Sequence, residues 1–224
     1  MPEFSAIMFD MDGVLADTEP LKGLAHVMAI ATLGYVAHLD QYAEVMGQPS
    51  EQVRLHLLNS VGAEAVDPEY YQSLFRRYYT ALINTQLKPM PGAIELVEML
   101  ARAFRIAVVS SSDRHAIDIT LDRLQIIQLI DVIVSSEDVS QEKPSPEPYV
   151  LAAVRLRARN CRSVVFEDTE AGIQSAIGAG SRVIAVRHKF NRHHDFSDAD
   201  LEVENLLQWE QIKQFLEDSS PKGS

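Results

Sequence analysis

Asp10 and Asp12 stand two residues apart, directly after the apolar stretch Phe4-Ser5-Ala6-Ile7-Met8-Phe9. A strand of that composition belongs inside a parallel sheet, and a charge at its end must face water or a partner. Ligands of open α/β sheets bind at the carboxyl ends of strands, which is where such folds do their chemistry. Taken alone, Asp10-Met11-Asp12-Gly13 also reads as a plain turn. Other apolar runs end in the same way. Ile106-Ala107-Val108-Val109 leads into Ser110-Ser111-Ser112, and Val164-Val165-Phe166 into Glu167-Asp168. After Val132-Ile133-Val134 comes Glu142-Lys143-Pro144-Ser145-Pro146-Glu147, where prolines stiffen the chain around a single lysine. Ser145 and Pro146 read as the N-cap and first residue of a helix carrying Tyr149. Carboxylates converging from several strand ends repel one another unless a cation lies between them, and hard oxygen ligands suit Mg²⁺. Mg²⁺ seldom fills an all-protein cage, so a phosphorylated substrate would complete its shell. A serine hydroxyl, backbone N–H groups and the Lys143 ammonium would take the remaining phosphate oxygens.

The elements that must position these groups follow from periodicity. Val183-Ile184-Ala185-Val186 adds one more short run rich in β-branched residues, and segments with helical spacing, such as Ala93 to Leu100 and Tyr149 to Val154, lie between the runs. This alternation predicts an α/β fold, a Rossmann-like doubly wound parallel sheet. From about Glu19 to Gln86 the pattern breaks: helical stretches at 21–33, 52–61 and 69–83 follow one another with no strand between them, predicting an inserted α-helical cap. Lys88-Pro89-Met90-Pro91-Gly92 suits the hinge by which the chain leaves it. The expected division is a catalytic core of residues 1–16 and 89–224 and a cap of residues 17–88. Tyr70, Tyr71, Tyr78 and Tyr79 are expected to pack the cap.

Composition narrows the function further. The chain has 224 residues, 46% of them hydrophobic, enough for a sizeable buried core. With 32 acidic against 20 basic residues and a net charge of -12, it suits neither nucleic acid nor an anionic membrane, and an anionic substrate needs a local basic site. The one cysteine, Cys161, excludes an internal disulfide and is expected to be a small structural thiol in a reducing compartment. Met1-Pro2-Glu3 lacks the basic region of a targeting signal, and the apolar stretch from Leu24 to Val36 is too short to span a bilayer. A cytoplasmic protein is expected, and a monomer, since no heptad stripe stands out. Asp218 to Ser224 is expected to fray.

In order along nearly the whole chain, four segments resemble the motifs of the haloacid dehalogenase-like hydrolase superfamily: Asp10-Met11-Asp12-Gly13-Val14, Val108-Val109-Ser110, Lys143-Pro144 and Glu167-Asp168-Thr169-Glu170-Ala171-Gly172. Ala16-Asp17-Thr18-Glu19-Pro20 and the Glu-Asp form of the fourth motif are similar to the β-phosphoglucomutase-like branch, which also holds many small-metabolite phosphatases. The resemblance implies that Asp10 attacks phosphorus to form an aspartyl-phosphate. Asp12 then serves first as acid for the leaving oxygen and next as base for water. Dehalogenases of the superfamily lack an acid at that position, so Asp12 points to a phosphate ester. The implied Mg²⁺ ligands are the Asp10 carboxylate, the Asp12 backbone carbonyl, Asp168, and Glu167 directly or through water. Lys143 would offset charge on nucleophile and phosphate, with Ser110 and the amide of Ser111 on the phosphate oxygens.

Two departures separate the chain from the mutases of that branch. Lys22 stands where they carry a cap histidine, and Ser50 where they carry an arginine for the substrate's second phosphate; Arg54 lies about a helical turn further on. The expected activity is therefore hydrolysis of a small phosphorylated metabolite, with Lys22 as a cap contact to substrate. A phosphosugar mutase is the enzyme alternative, and a non-catalytic binding protein of the same fold the other. The remaining features read as structural. Gly178-Ala179-Gly180 precedes a strand instead of following one, so it is a helix-to-strand turn and not a dinucleotide fingerprint. His188, His193 and His194 match no common zinc spacing and are expected in a solvated loop. Asp17 and Thr18 are expected to cap the first cap helix.

Overall fold

A computed structural model describes residues 4–46, 48, 50–159 and 162–217; Cys161 and the segment 218–224 lie outside the described residues. The chain divides into two compact units, one of residues 1–16 and 89–224 and the other of residues 17–88.

The first unit is built on a parallel sheet. Strands β1 (Ala6–Phe9), β2 (Arg105–Val109), β3 (Val132–Val134), β4 (Ser163–Glu167), β5 (Arg182–Val186) and β6 (Leu201–Val203) lie in the order β3-β2-β1-β4-β5-β6. The apolar runs are continuous because both faces of the sheet are covered. Ala6, Met8, Ala107, Val109, Val165 and Val183 share one core with Tyr149, Ala152, Ala153 and Leu156 of α7 (Glu147–Leu156) and with Ile173 and Ala176 of α8 (Glu170–Gly178). Residues of the other parity, including Phe9 and Phe166 with ring centroids 4.8 Å apart, face the opposite side. Helices α5 (Ala93–Leu100), α6 (Arg114–Arg123) and α9 (Trp209–Glu217) complete this unit. The strand order reverses between β1 and β4, which leaves a crevice at their carboxyl ends. Phe9 pairs with Val108 on one side and Phe166 on the other, and the Asp10 N–H donates to Phe166 O at 2.9 Å. Asp10 and Glu167 are thereby delivered to that crevice.

Two details differ from the sequence reading. β6 was not anticipated, because Leu201-Glu202-Val203 is short, alternating and carries a charge, as suits an edge strand. Ser145 is not the N-cap of α7: Pro146 holds that position and Pro148 sits in the first turn, so the helix begins at Glu147. The Ser145 hydroxyl accepts from the Glu147 N–H at 3.3 Å, and its carbonyl accepts from the Ser175 hydroxyl at 2.5 Å.

The second unit contains α1 (Glu19–Thr32), α2 (Leu39–Ala43), α3 (Ser50–Ser60) and α4 (Pro68–Gln86). α4 starts where Pro68 follows Asp67, whose carboxylate accepts from the Tyr70 N–H at 2.8 Å. Tyr71 and Tyr79 are buried, Tyr78 pairs with Thr32 at 2.7 Å, and Tyr70 is exposed, so only part of the tyrosine set packs the interior. Thr18 does occupy the N-cap of α1, but its side chain makes no capping bond because its backbone is already helical, at φ -90° and ψ -22°. Among the described residues no helix is long and apolar enough to cross a membrane.

Inside this unit His26 is buried against Phe75, Tyr42 and Tyr71, with ring centroids at 4.2, 5.4 and 6.0 Å, and its Nδ1 lies 2.8 Å from the Tyr71 hydroxyl. Burial, and then the Lys22 ammonium, lower its pKa from the ordinary 6.5 to about 3. The unfolded chain therefore takes up a proton that the folded chain refuses, and the stability this provides above pH 6.5 is lost as pH falls toward 3. Between pH 7 and pH 5 this amounts to about 2 kcal/mol. Urea unfolding followed by circular dichroism should show the wild type losing that much more stability than His26→Phe over the same interval. Equal losses would refute the assignment.

Candidate active site

Lys143 stands at the centre of the strand ends. Its ammonium donates to Asp10 Oδ1 at 2.6 Å, to Glu167 Oε1 at 2.5 Å and to the Val109 carbonyl at 3.0 Å, which uses all three of its protons. The loop that carries it is tied down by Glu147, whose carboxylate accepts from the Ser140 and Gln141 N–H groups at 2.8 and 2.9 Å. Burial acts to lower the Lys143 pKa, but the Asp10 and Glu167 carboxylates outweigh it and hold the ammonium above its usual range. Asp10 feels the reverse balance. Burial pushes its carboxyl well up, Lys143 pulls it down, and the charges of Glu167, Asp168 and Asp12 add to the upward push.

Glu167 is fully buried and surrounded by protein donors. Oε1 accepts from Lys143 and, at 2.6 Å, from the Tyr149 hydroxyl. Oε2 accepts from the Asp168 N–H at 3.0 Å, the Thr169 hydroxyl at 3.2 Å and the Thr169 N–H at 3.4 Å. The first turn of α8 comes so close that a Cβ on Gly172 would fall on this carboxylate. Gly172→Ala should therefore displace Glu167, and Lys143 with it, costing about 2 kcal/mol in thermal unfolding together with most of the turnover. Wild-type stability in that variant would show that the contact relaxes without cost.

Asp12 is held separately, with Oδ2 accepting from the Ser112 hydroxyl at 3.0 Å and the Ser110 hydroxyl at 3.2 Å. The Ser112 N–H donates in turn to Ser110 Oγ at 3.1 Å. Ser111 is exposed on the same turn. Lys22 belongs to the second unit, where it pairs with Glu19 Oε1 at 3.1 Å while the Tyr42 hydroxyl donates to Glu19 Oε2 at 2.7 Å. Asp168 is buried beside His188, whose Nε2 lies 2.8 Å from Asp168 Oδ2.

The loop after β5 corrects the expectation of a solvated histidine loop. Only Lys189, Arg192 and His193 of its basic residues are exposed. His188 reaches Asp168, and His194 Nδ1 accepts from the Glu170 N–H at 3.2 Å, serving the start of α8. Arg187 lies 3.8 Å above the Phe196 ring and donates to the carbonyls of Asn191 and His194 at 2.9 and 3.0 Å. Such internal bonds give the loop a fixed course that histidine spacing does not reveal. In the sequence Ser112, Thr169 and Tyr149 stand out only as members of longer segments, and Asn191 does not stand out at all. The polar residues following β5 carried the same strand-end signal that had marked Asp10, Ser110 and Glu167.

Four carboxylates, Asp10, Asp12, Glu167 and Asp168, thus gather near one lysine, a charge balance that suits a hard divalent cation. No three side chains of His, Cys, Asp or Glu form a closed metal cage among the described residues. Mg²⁺ needs none, since one or two carboxylates with water and substrate oxygens complete its shell. The donor set fits that ion.

Known proteins are similar to the chain in sequence and fold. A phosphorylated carbohydrates phosphatase of Thermotoga maritima is 31% identical over 189 residues, covering 83% of this chain and 87% of its own. The crystal structure of CbbY from Rhodobacter sphaeroides in complex with phosphate superposes with a TM-score of 0.82 at 26% identity, covering 93% of this chain and 96% of that one. A putative β-phosphoglucomutase from Thermotoga maritima gives 0.78 at 28% identity, with 94% and 99% covered. The model of the haloacid dehalogenase-like hydrolases matches residues 7–186, and the chain belongs to that family.

Proposed function

We propose that the chain is a Mg²⁺-dependent phosphatase that hydrolyses a small phosphorylated metabolite, a sugar phosphate or similar phosphomonoester, through an aspartyl-phosphate. The observation that carries this reading is the separate treatment of the two aspartates: Asp10 is ion-paired to Lys143, while Asp12 is held by two hydroxyls. Two carboxylates in different surroundings suit two different jobs. An Asp10 oxygen attacks phosphorus, the bond from phosphorus to the ester oxygen breaks, and Asp12 gives that oxygen a proton. Water then attacks the phosphoryl group, Asp12 takes a proton from it, and inorganic phosphate leaves with Asp10 restored. Lys143 draws Asp10 toward its ionised form against burial and the neighbouring carboxylates, and offsets charge gathering on the phosphoryl oxygens. Ser110 and the Ser111 amide bind those oxygens. The Asp10 and Asp168 carboxylates with the Asp12 backbone carbonyl would hold the Mg²⁺, which lowers the charge repulsion between nucleophile and phosphate. Glu167, already engaged by Lys143, Tyr149, Asp168 and Thr169, contributes its charge and the placement of Lys143.

Residues 17–88 serve as the cap that reads the leaving group, with Lys22 as a substrate contact, and the protein works as a cytoplasmic monomer without nucleic-acid or membrane partners. The carbohydrate substrate named for the Thermotoga relative supports a phosphorylated carbohydrate here too. The test is phosphate release from p-nitrophenyl phosphate and a panel of phosphorylated carbohydrates, with Mg²⁺ and after chelation. Metal-dependent release is expected. No release from any ester would favour a binding protein, and conversion of β-glucose 1-phosphate to the 6-phosphate faster than hydrolysis would favour a mutase.

A further inference from the structure

The loop following β5 grips Asp168 by both its backbone and its side chain. Asn191 is fully buried, and its Nδ2 donates to the carbonyls of Asp168 and Val186, each at 2.9 Å. Its Oδ1 accepts from the His188 N–H at 2.8 Å, which fixes the start of the loop. The Phe190 N–H donates to His188 Nδ1 at 3.2 Å, so the neutral ring carries its proton on Nε2 and donates it to Asp168 Oδ2 at 2.8 Å. Gly13 closes the arrangement from the β1 side. Its φ is 80°, and a Cβ there would overlap both Asp168 Oδ2 and His188 Nε2. Elements following β1, β4 and β5 therefore meet at one carboxylate oxygen. A surface ion pair has no such enclosure: the His188 and Asp168 side chains are only 9% and 4% exposed.

We propose that His188 is a positioning residue for the metal site, orienting the Asp168 carboxylate through Oδ2 so that Asp168 is already aimed when a divalent cation arrives. The inference rests on the reading of Asp168 as a metal ligand. Hydrogen-bonded partners of ligating groups set ligand orientation, and their loss commonly weakens metal binding by about 10- to 100-fold. Asn191 and Gly13 act with His188, one by holding the loop and the other by leaving room for the pair.

The test is titration of Mn²⁺ into the full chain, with free Mn²⁺ read by electron paramagnetic resonance. His188→Ala should bind Mn²⁺ about 10- to 100-fold more weakly, whereas His188→Gln, whose amide keeps a donor at similar reach, should stay within about threefold of wild type. His193→Ala, altering an exposed residue of the same loop, should leave binding unchanged. A merely structural role would give no rescue by glutamine. Should His188→Ala fail to fold by circular dichroism, His188→Gln and His188→Asn carry the comparison, and asparagine, with its shorter reach, should bind more weakly than glutamine. Wild-type affinity in His188→Ala, or equal weakening in alanine and glutamine variants, overturns the role of His188 and leaves the phosphatase reading standing. Ester hydrolysis that persists after chelation, with no Mn²⁺ bound by the wild type, overturns the metal reading and the inference together.

Discussion

Asp10→Asn is expected to lower the turnover of p-nitrophenyl phosphate by about 10⁴-fold or more while leaving the fold intact. The substitution keeps the shape of the side chain and removes the carboxylate proposed as nucleophile, so the proposed covalent step would have no substitute group. Its effect on stability should run the other way. Burial and the neighbouring charges of Glu167, Asp168 and Asp12 all act against an ionised Asp10, and Lys143 alone acts for it. An amide relieves that repulsion, and Lys143 keeps Glu167 at 2.5 Å as its counter-ion. The variant should therefore melt at or above the wild-type temperature while being inactive, a pairing that separates loss of chemistry from loss of structure. Retained turnover would sink the covalent mechanism. A large drop in melting temperature would instead mean that the ion pair between Asp10 and Lys143 gives more than the desolvation of Asp10 costs.

The parts of this site that could be read from the sequence are those where one short run ends in one polar side chain. Phe9 before Asp10, Val109 before Ser110 and Phe166 before Glu167 each mark a strand end by an abrupt change from apolar to polar, and parallel pairing brings these ends to one edge. Lys143 was legible for another reason: prolines on both sides of Ser145 mark a loop with little freedom. What escaped depends on contacts between distant segments. Nothing in the sequence near Tyr149 announces that its hydroxyl reaches Glu167, because that contact depends on α7 packing across β2 and β1. His188 is separated from Asp168 by the whole of α8 and β5, and histidine spacing does not carry the decisive feature, which is the loop's place after a strand. α2 and β6 are too short for either periodicity to show. The role of Ser145 shifted by one position because two nearby prolines offered two places to begin α7, and only packing against α8 selects between them.

Lys143→Met should combine a large loss of activity with a measurable loss of stability, and the two should respond differently to pH. The ammonium is the common partner of Asp10 and Glu167, and its ring neighbour Tyr149 lies 5.0 Å away. Methionine fills much of the same volume and leaves two buried carboxylates facing each other without a counter-ion. Breaking a buried pair in this way costs about 3 kcal/mol, because the charges remain while the compensation is gone. Loss of the charge that steadies the phosphoryl oxygens should lower turnover by about 10³-fold. The sign of the pH effect follows from the mutual repulsion of the carboxylates. Burial and the neighbouring charges already raise the Asp10 pKa in the wild type, and loss of Lys143 removes the one charge that lowers it, so the folded variant holds that proton more tightly still and its deficit in unfolding free energy should shrink as pH falls from about 8 to about 5. Activity should not recover over that range, since the proton that relieves the repulsion also blocks the nucleophile. Urea unfolding and phosphate release across the interval would show both trends. A deficit that stays constant with pH would mean that Glu167 and Asp10 separate when the lysine is lost, and that Tyr149, Thr169 and the Asp168 N–H suffice to hold Glu167 in place.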